Sequence, residues 1–140
     1  MKLTLEQIRD LVDDRYIDRG RAYLAGGQLQ LTKVTVDQVT AKCAGTHLYN
    51  VTLRLKGKKL WGGCTCPAVD EFGPCKHIAA TTLAVMAEKY SPSTSFLARQ
   101  ERVSRLERKW LRMSKSDLAA LVMQLVPDED ELEGILSHGD

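Results

Sequence analysis

A chain of 140 residues with 44% hydrophobic side chains has room for one domain with a modest core and an appended segment. Its net charge of only +2 selects no partner class. No apolar run approaches the ~18 residues of a membrane span and no signal-peptide apolar stretch opens the chain, the pattern expected of a cytoplasmic protein with no membrane partner. The near-neutral total hides an asymmetry. All 20 Lys and Arg fall in residues 1–115 against 11 Asp and Glu, whereas Asp117, Asp128, Glu129, Asp130, Glu131, Glu133 and Asp140 follow with no Lys or Arg among them. A basic body with an acidic end is the expectation.

In chain order, residues 1–27 read as two helices. Thr4 is placed to cap the first, whose Leu5, Ile8, Leu11 and Val12 recur at helical spacing; Asp13-Asp14 breaks it and caps a second over about Arg15–Ala25, which Gly26-Gly27 stops. Arg15, Arg19 and Arg21 are candidate phosphate contacts, although with Asp18 among them they also read as a solvated face. Residues 28–63 read as an antiparallel β-meander. Apolar and polar residues alternate through Leu29–Thr32, Val39–Cys43 and Tyr49–Leu55, with turns near Asp37-Gln38, Gly45-Thr46 and Lys56-Gly57 and a fourth strand over about Lys58–Cys64. Cys43 falls on the apolar phase of its strand and reads as a small core residue, and His47 as a solvated turn residue. Arg54, Lys56, Lys58 and Lys59 crowd the last hairpin and are expected next to the stretch that follows.

That stretch, residues 61–80, holds Cys64-x-Cys66-x8-Cys75-x-His77. Cys and His supply the donors Zn²⁺ prefers, and four of them complete a tetrahedron. Residues i and i+2 of an extended segment share a face, so Cys64 and Cys66 can reach one ion. Pro67 ends that segment, Gly73-Pro74 turns the chain, and Cys75 and His77 fall where a helix begins. Three thiolates and a neutral imidazole leave a charge near −1 around the ion, which the helix N-terminus and Lys76 offset. Gly62 and Gly63 are expected to let the backbone approach the metal or donate N–H groups to sulfur, and Asp70 and Glu71 to lie in a solvated loop. A Cys-x-Cys redox pair, an iron–sulfur cluster and buried metal-free cysteines are the competing readings; structural zinc fits the spacing, the histidine and the short chain better. A catalytic zinc would keep an open position, and here all four look filled.

After the ligands, a helix over about Lys76–Tyr90 presents Ile78, Ala79, Thr82, Leu83, Val85, Met86 and Tyr90 to the meander. Ser91–Thr94 breaks the chain. Residues 95–113 form a basic helix with Arg99, Arg102, Arg105, Arg108, Lys109 and Arg112 around a thin stripe of Phe96, Val103, Leu106 and Trp110. Ser116 is placed to cap the next helix, Pro127 to break it, and Asp128–Leu136 to form a last acidic helix. The expected fold class is α+β: N-terminal helices, an antiparallel meander, a zinc knuckle leading into a helix, then a helical appendage. Its expected parts are residues 1–90 and 91–140.

Cys-Thr-Cys-Pro, a short loop and Cys-Lys-His-Ile-Ala-Ala resemble the SWIM-type zinc finger, C-x-C-x(n)-C-x-H, at all four ligand positions. Arg19-Gly20-Arg21-Ala22-Tyr23-Leu24-Ala25-Gly26-Gly27 and Gly45-Thr46-His47-Leu48-Tyr49-Asn50-Val51 resemble segments upstream of the finger in bacterial members. The resemblance implies Zn²⁺ as cofactor and a role in binding DNA or protein, in some relatives beside a helicase-like ATPase. No phosphate-binding loop, nucleophile elbow, deaminase or H-E-x-x-H motif occurs in the sequence, so the expectation is a non-enzyme without a small-molecule substrate. The first functional expectation is DNA or RNA association through Arg54, Lys56, Lys58, Lys59, Lys76, Arg99, Arg102 and Arg105. The alternative is a protein–protein adaptor in which the zinc is purely structural.

Overall fold

The computed structural model describes residues 1–87 and 89–126. Pro127 and the acidic helix expected at Asp128–Leu136 lie outside them. The chain divides into two compact units, Met1–Gln100 and Glu101–Asp140. The first begins with α1 (Leu5–Leu11), opened by a reciprocal capping box: Thr4 Oγ1 accepts from the Gln7 N–H, and Gln7 Oε1 accepts from the Thr4 N–H. Asp13 caps α2 (Asp14–Ala25) through the Arg15 N–H. Gly27, at φ +61°, closes α2 in a Schellman turn, with the Gln28 N–H donating to Tyr23 O and the Gly27 N–H to Leu24 O.

Four strands follow in an antiparallel sheet whose spatial order is their chain order: β1 (Leu29–Val34), β2 (Gln38–Ala44), β3 (Leu48–Lys56) and β4 (Lys59–Cys64). Gly57, at φ +61°, takes the first central position of the two-residue β3–β4 turn, where hairpin twist demands a left-handed residue. Alternation sorts the two faces. Val39, Ala41, Cys43, Val51, Leu53 and Leu60 point inward and are buried. The inward row is covered by α4 (Lys76–Met86), and α2 packs on the far side of α4.

Between β4 and α4 the expected loop carrying Asp70 and Glu71 is instead a short helix, α3 (Ala68–Phe72), with Pro67 at its cap and Gly73, φ +74°, turning the chain out of it. Both carboxylates are exposed, as a solvated connection requires. The helix expected to reach Tyr90 stops at Met86. Tyr90 lies beyond it and fastens β1, donating from its hydroxyl to Leu29 O at 2.7 Å. Because α4 lies between the sheet and α2, it is buried on nearly every side rather than on one face: Ile78, Ala79, Ala80, Thr81, Thr82 and Ala84 are all buried, while Met86 is exposed. The two threonine hydroxyls donate to His77 O (2.8 Å) and Ala79 O (2.7 Å), so neither buried polar group is orphaned.

Gly20 explains how α2 comes so near. A Cβ there would lie 2.8 Å from both Ala79 Cβ and Ala80 N, so only hydrogen fits between the helices. Gly62 has a similar task, and the expectation that it clears space for the metal is corrected: a Cβ would meet Ile78 Cγ2 at 2.7 Å, so the missing side chain admits α4 onto β4. Among the described residues nothing lies within 4 Å of a Cβ at Gly63.

The basic helix is α5 (Thr94–Trp110), with Phe96 buried and Leu106 and Trp110 exposed. In the second unit α6 (Lys115–Leu125) is capped by Ser114, not Ser116. Ser114 Oγ accepts from the Asp117 N–H at 3.1 Å and donates to Asp117 Oδ2 at 2.7 Å, which places Ser116 inside the first turn. Among the described residues no helix is long and apolar enough to cross a membrane.

Candidate metal centre

The end of β4 delivers Cys64, and the chain stays paired one residue further, where the Thr65 N–H donates to Asn50 O (3.0 Å) and Thr65 Oγ1 accepts from the Asn50 N–H (2.9 Å). That pairing holds the backbone extended and lets Cys64 and Cys66 face the same way. Cys75 is the N-cap of α4 and His77 lies in its first turn. The ligand atoms of Cys64, Cys66, Cys75 and His77 all lie within 4.8 Å of one another. Cys66 and Cys75 Sγ are 3.5 Å apart, and His77 Nδ1 lies 3.8 Å from Cys64 Sγ and 3.7 Å from Cys75 Sγ. A tetrahedron with Zn–S bonds of about 2.3 Å has edges of about 3.8 Å, close to these three separations, so the cluster has the size of a zinc site. Cys43 stands apart from this group. It is fully buried, its Sγ lies 3.8 Å from Thr81 Oγ1, and burial pushes its thiol up to about 12, as expected of a core residue.

Crowded thiols compete for charge. Hydrogen bonding from Cys64 holds the Cys75 thiol well below its ordinary value; sharing that proton pushes Cys64 up, and burial followed by its contact with Cys75 pushes Cys66 up. Three thiolates so close cannot all ionise unaided; a divalent cation at their centre removes the conflict. The donor set is three cysteine sulfurs and one histidine nitrogen, and zinc is its cofactor.

Around the ligands lies a layer that spacing does not reveal. With Nδ1 facing the sulfurs, His77 carries its proton on Nε2, 3.4 Å from the Tyr23 hydroxyl oxygen. Tyr23 in turn donates to the carbonyl of Ala44 at the end of β2. This relay fixes the histidine tautomer and ring plane. Tyr23 also stands edge-on to the imidazole at 5.1 Å, Tyr49 lies tilted at 5.2 Å, and Lys76 Nζ sits 5.0 Å from the Tyr23 ring centre. Burial pushes the Tyr23 hydroxyl above its ordinary value, which keeps it a neutral donor. Tyr23→Phe is therefore expected to weaken zinc binding by about 10- to 100-fold in a competition titration with a chromophoric chelator. Unchanged affinity would show that the relay does not orient the ligand.

Six of the eight basic residues singled out in the sequence lie in the first unit, and those six do not converge. The Lys56–Lys59 turn lies at the far end of β4 from Cys64, about 17 Å away at ~3.3 Å per residue, so the hairpin is not adjacent to the metal as expected. Arg54, Lys56 and Lys59 project from the solvent face of the sheet beside Trp61, with Lys59 Nζ 4.3 Å from the indole centre and Arg54 directly across from Trp61. Lys58 occupies the turn and its carbonyl accepts from Gln7 Nε2 of α1 at 2.9 Å. Lys76 belongs to the metal end. Arg99 has a structural task that its sequence position did not suggest: its guanidinium donates to Gly45 O (2.8 Å) and Thr46 O (2.9 Å), holding the β2–β3 turn. Arg102 and Arg105 are exposed on the second unit.

A family model described as SWIM zinc finger matches residues 49–86, from Tyr49 beside His77 to the last residue of α4. Searches of curated proteins and of solved structures return no match.

Proposed function

We propose that this chain, which carries a SWIM zinc finger over residues 49–86, uses the zinc to lock a small β-sheet and presents the sheet's open face to nucleic acid. One observation carries the reading. The solvent face of β1–β4 bears Lys33, Lys42, Arg54, Lys56 and Lys59, interspersed with Gln30, Thr32, Gln38, Thr40, Asn50 and Thr52, and it bears no carboxylate. The bulge between Leu31 and Lys33 adds to it by setting both Thr32 and Lys33 opposite Thr40, with the two threonine oxygens 2.8 Å apart. At the β4 edge Trp61 is 54% exposed, an uncommon place for an indole unless something stacks on it. Cations attract phosphates without regard to sequence, hydroxyl and amide side chains offer hydrogen bonds, and the indole offers a stacking plane. The zinc ion supplies rigidity: four protein donors fill its tetrahedron, and the finger acts as a binding module rather than a catalyst.

Binding of a fluorescent single-stranded oligonucleotide measured across a salt series tests this. Affinity is expected to fall with salt, and the triple change Arg54→Gln, Lys56→Gln, Lys59→Gln is expected to flatten the log–log slope by about 2, at ~0.7 per lost phosphate contact, with zinc content unchanged. Absence of binding at about 50 mM salt would leave the alternative, a protein adaptor with a purely structural zinc.

A further inference from the structure

Beside the metal centre, on the helical side of the first unit, a cavity of about 420 Å³ opens between α2, α3 and the start of α4. Its floor is Cys66, Cys75 and His77. Its walls carry Arg15 and Arg19, one turn apart on α2, and Lys76, the first residue of α4; among the described residues no carboxylate lines it. Tyr16 and Phe72 supply aromatic surface.

Four features make this more than the outer skin of a zinc site. An ion needs no such volume; 300–1,000 Å³ is the range of small-molecule pockets. Charge is in excess: a zinc ion with three thiolates and a neutral imidazole carries about −1, while Arg15, Arg19 and Lys76 bring three positive charges. Arg15 leans toward the exposed carboxylate of Asp13 at 3.6 Å, but Arg19 and Lys76 make no ion pair among the described residues. The arginines are also held in place, with Cζ 4.9 Å (Arg15) and 5.7 Å (Arg19) from the Tyr16 ring centre, so both guanidinium groups are steadied at the wall. Finally, Phe72 is 58% exposed at the cavity, a flat apolar surface with no partner ring among the described residues.

We infer that this cavity binds a phosphate monoester carrying a flat ring, that is, a nucleotide, either free or at the end of a strand. The dianionic phosphate sits among Arg15, Arg19 and Lys76, and the base lies against Phe72. The inference is independent of the sheet face and requires only that the metal centre be formed, so metal content is measured alongside binding.

The zinc-loaded full chain is titrated with AMP, inorganic phosphate and adenosine, following backbone amide shifts by NMR. AMP is expected to saturate, with shifts confined to residues 15–19 and 72–77 and none at Trp61. Inorganic phosphate should bind more weakly at the same amides and adenosine not at all. Arg19→Gln is expected to weaken AMP about tenfold, the effect of one lost charge-assisted hydrogen bond, with zinc content and melting temperature unchanged. Phe72→Ala should remove the advantage of AMP over inorganic phosphate. A 5′-phosphorylated trinucleotide that matches AMP, where its 5′-hydroxyl form fails, assigns the site to strand ends; AMP binding alone assigns it to free nucleotide. No saturable binding of AMP or phosphate overturns the inference. So does an Arg19→Gln protein that loses zinc yet binds AMP as before, since the cations would then serve only to balance the thiolates.

Discussion

Cys75→Ala is expected to yield a chain that holds no zinc and has lost the cooperative melting of its first unit. Cys75 ends the turn from α3, caps α4, is 2% exposed within the main core and contributes one of four metal bonds, so one substitution releases helix, core and ion together. Structural zinc contributes an apparent ~10–16 kcal/mol in finger peptides, as much as or more than the ~5–15 kcal/mol net stability of an ordinary domain. Native mass spectrometry should report zero equivalents of zinc, and a thermal circular-dichroism scan should show a broad, shallow transition. A strong chelator should produce the same scan from the unaltered chain. Cys43→Ala is the control: it removes a sulfur from the same core without touching the cluster, and is expected to cost about 1–2 kcal/mol while keeping one zinc. If Cys75→Ala melted like Cys43→Ala, the metal would not hold the fold.

Gly20→Ala is expected to lower stability by about 2 kcal/mol although alanine is the better helix former. In an open helix the change would gain up to ~1 kcal/mol. Here the added methyl would meet the Cβ of Ala79 and the backbone nitrogen of Ala80, both at 2.8 Å, and neither a Cβ nor a helix backbone can swing aside. The α2–α4 seam must widen. Since α2 carries Tyr23 and α4 carries His77, the relay behind the metal would stretch with it. The melting temperature is expected to drop by about 10 °C. Gly63→Ala, with no atom within 4 Å of the new methyl, should stay within about 0.5 kcal/mol of the parent. Equal melting of the two variants would mean that the helices tolerate separation.

The chemistry of the centre was legible because ligand type and spacing state it directly: Cys-x-Cys at a strand end and Cys-x-His at a helix start can scarcely do otherwise than converge. Strand phases were legible for a similar reason, since alternation of Val39, Ala41 and Cys43 with Thr40 and Lys42 leaves one face for the core. What escaped depends on contacts between distant positions. Tyr23 stands within a recognisable run, but nothing local says that its hydroxyl reaches both His77 and Ala44. Gly62 sits two residues from a ligand, and proximity in sequence suggested the metal where the true neighbour is Ile78. The hairpin lysines lie farther from the metal than their separation in sequence implies, because a few residues of extended chain cover a large distance. Ser114 and Ser116 differ in a way the sequence does carry: only Ser114 stands three residues before Asp117, the spacing a reciprocal cap requires.

The sheet's turn-by-turn order has a kinetic consequence. Every strand joins its immediate predecessor, so each hairpin closes over a short loop and can assemble early and independently of the rest. The α2–α4 seam joins positions about sixty residues apart and carries the larger loop-closure entropy, so it is expected to form after the hairpins. The cluster stands at the meeting of these two regimes, with Cys64 on the early hairpin and His77 on the late helix. The ion is thus placed where short-range closures of the sheet meet the long-range packing of the helices, and it ties the two together.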